Sequence, residues 1–99
     1  MIERVLIANR GEIASRIART CRRLGVEYVT VHSEADARSQ HGSGAIANVL
    51  IGPAPAAASY LRADRIITAA RDTGCTAIHP GYGFLAESAD FAQAVVDAG

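Results

Sequence analysis

The sequence predicts an α/β fold, a doubly wound parallel sheet with flanking helices. Two observations predict it. Short, partly β-branched apolar runs alternate along the 99 residues with stretches whose apolar residues recur at helical spacing. Each helical stretch also ends on a glycine, at Leu24-Gly25, Thr73-Gly74 and Ala98-Gly99, and a strand-like run follows the first two within two residues. A chain of this length buries roughly 60–65% of its unfolded surface, enough for one core.

The elements follow in order. Val5-Leu6-Ile7-Ala8 is an uninterrupted apolar run closed by Asn9-Arg10-Gly11, the pattern of a strand covered on both faces. From Glu12 the period changes: Ile13, Ala14, Ile17, Ala18, Cys21 and Leu24 form one stripe, and Arg16, Arg19, Arg22 and Arg23 fall opposite. Glu12 in the first turn and arginines in the last suit the helix dipole. Val26 to Val31 returns to strand character, which completes a β-α-β unit with parallel strands. After a polar stretch with Gly42-Ser43-Gly44 as a loop, Val49-Leu50-Ile51 makes a third strand closed by Gly52-Pro53. Ser59 is the expected start of the next helix, with Ala63, Ile66, Ile67 and Ala70 as its stripe. Thr76-Ala77-Ile78 is the fourth strand and His79 to Gly83 a tight loop. A last helix from Ser88 carries Phe91, Ala92, Val95 and Ala98 on one face. A final helix closed like those that precede strands reads as a domain that ends before its last strand.

Composition narrows the function. Ten arginines balance five aspartates and five glutamates, so no net field draws the chain to nucleic acid or an anionic membrane. There is no lysine, which excludes a P-loop, a Schiff-base lysine and a lysine clamp on phosphate. Cys21 and Cys75 offer neither a disulfide framework nor metal-ligand spacing and read as core thiols in a reducing cytoplasm. No apolar run approaches the ~20 residues that span a bilayer.

Ligands of open α/β sheets collect at the carboxyl ends of the strands. Three segments lie there: residues 9–12, 33–36 and 79–83. The first has one glycine, Gly11, where a dinucleotide turn needs three, so a nicotinamide cofactor is disfavoured even with Glu34 or Asp36 at the distance of a ribose-binding acid. In His79-Pro80-Gly81-Tyr82-Gly83-Phe84 two glycines flank a tyrosine after a proline, a pattern that brings main chain close to another group. His79 alone reads as a hydrogen-bonded structural histidine, and His32 and His41 as surface residues. Arg16, Arg19 and Arg23 share one stripe and repel one another unless acids answer them, which leaves a solvated face and a protein contact equally open.

Ile7-Ala8-Asn9-Arg10-Gly11-Glu12-Ile13-Ala14, taken with Ile51-Gly52-Pro53-Ala54-Pro55, Ser59-Tyr60-Leu61 and Ala77 to Leu85, resembles the N-terminal domain of the biotin carboxylase family, over essentially the whole chain. The resemblance implies a Rossmann-like domain that precedes an ATP-grasp lid and a C-terminal domain, neither of which lies in residues 1–99. It implies that ATP and bicarbonate form carboxyphosphate, whose carboxyl passes to biotin on a separate carrier domain, with Mg²⁺ or Mn²⁺ on the nucleotide. Partners implied are the remainder of the carboxylase chain, the carrier domain, a carboxyltransferase subunit and a second copy in a homodimer.

By position, the resemblance implies that the loop of Gly81, Tyr82 and Gly83 lines the biotin end of the active site, and that Arg16, Arg19 and Arg23 fall on the helix used for dimer contact. No catalytic or metal-binding residue is expected in this chain, and no cofactor is expected to bind it tightly. The chain departs from the family twice. His41 is followed by Gly42-Ser43-Gly44-Ala45-Ile46-Ala47-Asn48, without the two acids of the Ala-Asp-Glu run usual before the third strand, and Leu85-Ala86-Glu87-Ser88 stands where Leu-Ser-Glu-Asn is usual. Rival readings are a free-standing Rossmann-like module that binds an anion or a protein, and the N-terminal domain of another ATP-grasp ligase. The run from His79 to Leu85 argues against the second.

Overall fold

The computed structural model describes residues 3–34, 44–55, 59–81 and 89–99. Their order is β1 (Arg4–Ile7), α1 (Gly11–Leu24), β2 (Glu27–Ser33), β3 (Ala47–Gly52), α2 (Ala63–Asp72), β4 (Ala77–His79) and α3 (Ala89–Ala98). The four strands form one sheet in the order β3-β2-β1-β4, and every pair is parallel. The predicted α/β class and all seven elements are present.

The strand alternation sorts the core into two layers. Leu6 and Ala8 of the first strand segment, with Val29, Val31 and Ile51, face α2 and α3 through Ile66, Ala69, Ala70 and Phe91. Val5, Ile7 and Tyr28 face the other way, onto Ala14, Ala18 and Cys21 of α1. One helix on one face and two on the other is the doubly wound arrangement. Residues 5–8 carry no polar side chain because β1 lies between β2 and β4 and is covered on both sides.

Helix ends follow local chemistry. Gly25 caps α1 at φ 71°, and its neighbour Val26 donates to the Cys21 carbonyl, closing the last turn. Gly74 and Gly99 take similar conformations, φ 72° and 87°, as the repeated helix endings predicted.

Ser59 does not start a helix. Its hydroxyl bonds back to the Pro55 carbonyl at 3.0 Å, and its own carbonyl accepts from Arg62 in a turn. The reason lies next door. Tyr60 is 1% exposed, and its hydroxyl accepts from the Ser33 amide at the end of β2. Seating that ring in the core costs the chain a turn, and α2 begins four residues later at Ala63. Arg62 precedes it and pairs with Asp64 at 2.8 Å; the side-chain hydrogen bond holds the Asp64 carboxyl below its usual range. β2 and β3 also extend beyond their apolar runs, through His32-Ser33 and back to Ala47-Asn48. There Asn48 Oδ1 takes bonds from Thr30 Oγ1 and His32 Nδ1, both at 3.0 Å.

Candidate biotin-side active-site wall

In the order β3-β2-β1-β4 the chain leaves β1 toward α1 on one face and leaves β4 toward α3 on the other. The crevice between those two strand ends is the switch point where such sheets bind ligands. Two of the three strand-end segments meet there, residues 9–12 and 79–81. The third, at Ser33 and Glu34, lies one strand further out, and Asp36 is outside the described residues.

The two segments are tied backbone to backbone and through one side chain. Ala8 donates its amide to the His79 carbonyl at 2.9 Å. Asn9 is fully buried; its Nδ2 donates to the Pro80 carbonyl at 2.9 Å and its Oδ1 accepts from the Arg10 amide at 2.8 Å. The Gly81 amide donates to His79 Nδ1 at 3.1 Å, so that ring carries its proton on Nε2. His79 is thus the structural histidine its position predicted.

Gly81 is required by geometry. Its φ is 71°, and a Cβ there would lie 2.7 Å from Ile13 Cγ2 and 3.0 Å from Asn9 Nδ2. The close main-chain approach read from the glycine-rich motif is therefore real at this position, and the groups approached are the start of α1 and Asn9. Tyr82 and Gly83 lie outside the described residues, as do Glu87 and Ser88.

The arginine stripe has a divided fate. Arg19 is answered by Glu12 at 3.1 Å, an exposed ion pair. Arg16 lines a largely apolar groove of about 720 Å³ with Ile13, Ile17, Leu24, His79 and Gly81. Arg23 is exposed. The structure thus brings Gly81 and Arg16 onto one surface and leaves Arg19 and Arg23 along the same helix. Arg22, off the stripe, donates to the Tyr28 hydroxyl at 2.7 Å. Cys21 is buried beneath the groove, and burial pushes its thiol up from the usual range; Cys75 is half-buried. Among the described residues no three His, Cys, Asp or Glu side chains could together hold a metal. No helix among them is long and apolar enough to cross a membrane.

Sequence reasoning passed over Asn9 as a site residue. The signal was there: an asparagine that follows four apolar core residues without a spacer starts the turn from inside the protein.

Residues 1–99 match the model of the biotin carboxylase N-terminal domain from end to end. The chain belongs to the biotin carboxylase family. It is 61% identical over all 99 residues to the biotin carboxylase of Pseudomonas aeruginosa, of which it covers 22%. It is 59% identical over 92 residues, 93% of the chain, to the mitochondrial methylcrotonoyl-CoA carboxylase subunit alpha of Oryza sativa subsp. japonica, covering 12% of that subunit. Among solved structures, the biotin carboxylase of Campylobacter jejuni in complex with β-γ-ATP superposes with a TM-score of 0.94 at 42% identity, over 98% of this chain and 22% of that one. The chain thus spans about a fifth or less of these relatives, as the N-terminal domain of biotin-dependent carboxylases.

Proposed function

We propose that the chain forms the biotin-side wall of a biotin carboxylase active site. The reaction joins ATP, bicarbonate and carrier-bound biotin to give carboxybiotin, ADP and phosphate. The observation that carries this reading is the seat of Gly81. In a chain that matches the family over its whole length, Gly81, which opens the segment we read as the biotin loop, sits at the switch point of the sheet.

Gly81, Tyr82 and Gly83 line the biotin end, where a tyrosine face suits an apolar bicyclic ring and glycines admit it to the main chain. Arg16, Arg19 and Arg23 contribute to contact between two copies in the full enzyme, with the groove beside Arg16 as its apolar part. The carrier domain and the carboxyltransferase subunit are the other partners, and two free cysteines suit a reducing cytoplasm.

In this reading the chain leaves magnesium or manganese and the nucleotide phosphates to other parts of the carboxylase. It has no lysine, and its described residues hold no cluster of metal ligands. The charge-neutralising groups that phosphoryl transfer demands belong to the remainder of the carboxylase.

Two experiments test the reading. In a full-length carboxylase that bears this domain, Tyr82→Ala raises the KM for free biotin about fivefold, the scale of one aromatic contact, and leaves the KM for ATP in place. An unchanged biotin KM would remove the loop from the site. The purified 99-residue chain shows no biotin-dependent ATP hydrolysis, and turnover above a no-protein blank would overturn the assignment of the phosphate chemistry elsewhere.

A further inference from the structure

We infer that Asn9 is a positioning residue for biotin, acting through the stem of the Gly81 loop; the inference rests on the loop reading above. Asn9 sits two residues beyond the end of β1, an inner strand, with its side chain wholly withdrawn from solvent. Two of its amide contacts are of opposite kind: Nδ2 donates to the Pro80 carbonyl and Oδ1 accepts from the Arg10 amide. A flipped amide would set oxygen against oxygen and N–H against N–H, so the pair of contacts fixes both its orientation and the spacing of the two turns it bridges.

The bridge ends at the residue before Gly81. Gly81 in turn packs its α-carbon against Asn9, close enough that a Cβ would stand 3.0 Å from Nδ2. The Gly81 backbone is therefore held from two sides: its amide by His79 Nδ1, and the preceding carbonyl by Asn9. β4 is only three residues long, and β1 is its sole partner among the described residues. Strand pairing extends only as far as the bond from Ala8 to His79, and beyond it the Asn9 amide takes over the link. Asn9 touches no substrate in this scheme. It sets the height and tilt at which the loop's first glycine leaves the sheet, and catalytic sites lose rate or affinity steeply when such supports shift.

The test is made in the full-length carboxylase with free biotin, ATP and bicarbonate. Asn9→Asp keeps the shape and the acceptor and deletes the donor to Pro80. Asn9→Ser, neutral and smaller, removes the same link without burying a charge and carries the test if the aspartate variant does not fold. The expected result is a rise of about tenfold in the KM for biotin, with the KM for ATP within about twofold, since the link lost is one buried hydrogen bond. Equal rises in both constants, or a lowered melting temperature with both KM values unchanged, would overturn the inference by making Asn9 merely structural. Tyr82→Ala measured alongside separates the two levels. A shifted biotin KM in Tyr82→Ala without one in the Asn9 variants rejects the positioning role and keeps the loop. No shift in Tyr82→Ala rejects both.

Discussion

Gly81→Ala destabilises the 99-residue chain by about 3 kcal/mol, and Gly25→Ala by about 1 kcal/mol. Both glycines have φ of 71°, so both substitutions place an L-residue in the left-handed region at a cost of roughly 1–2 kcal/mol. The difference between them is space. Nothing lies within 4 Å of a Cβ at Gly25, whereas one at Gly81 meets Ile13 Cγ2 at 2.7 Å and Asn9 Nδ2 at 3.0 Å. Neither neighbour yields easily: Ile13 is β-branched in the first turn of α1, and Asn9 is pinned by two hydrogen bonds. Overpacking of that kind adds roughly 1–3 kcal/mol. Thermal unfolding followed by circular dichroism reads the pair directly. A loss of 3 kcal/mol lowers the midpoint of a domain this size by roughly 12–24 °C. Equal midpoints for the two variants would mean that the switch point tolerates a side chain and that the loop stem is not seated against α1.

That contrast marks how far the sequence could be read. The glycines after the helices were legible because a helix end needs a left-handed residue whatever surrounds it. The two-sided core was legible for a similar reason, since residues 5–8 admit no polar side chain and the stripe of α1 has one period. The turn at Ser59 was not, because Ser59 is as good a helix start as it is a turn residue. Only the demand of the Tyr60 ring for the core, and of the Ser33 amide for its hydroxyl, decides between them.

The site was legible in the same uneven way. The motif from His79 to Gly83 announced a close approach, and its place at a strand end named the crevice. The groups approached come from a segment some seventy residues earlier, and local spacing carries no trace of that. The arginines show the same limit. Their mutual repulsion was plain from the period, but which acid relieves it depends on side-chain reach, and Glu12 answers Arg19 across two turns of α1.

Leu6→Ala is a strongly damaging truncation expected away from the site, and it bears on the site all the same. Leu6 is fully buried on the central strand, paired through its backbone to Val29 on one side and Ile78 on the other. Its side chain lies in the layer shared with Ile66 and Phe91. The strand is held by hydrogen bonds on both edges and cannot collapse inward, so most of the lost volume remains as a cavity. The cost is about 3–4 kcal/mol, a large part of the roughly 5–15 kcal/mol that a domain of this size has. Leu50→Ala supplies the contrast, since Leu50 is 54% exposed on β3 and its truncation costs under about 1 kcal/mol. Urea unfolding of the two variants measures both, and comparable losses would contradict the burial of β1. In the full-length carboxylase the signature of Leu6→Ala differs from that of Asn9→Asp. The cavity lowers the fraction of folded enzyme and hence apparent kcat, while the folded molecules keep their KM for biotin. The folded molecules of the Asn9 variant, whatever their fraction, have the raised KM for biotin. Leu6 on β1 and Asn9 just beyond its end thus separate the stability of the wall from its aim.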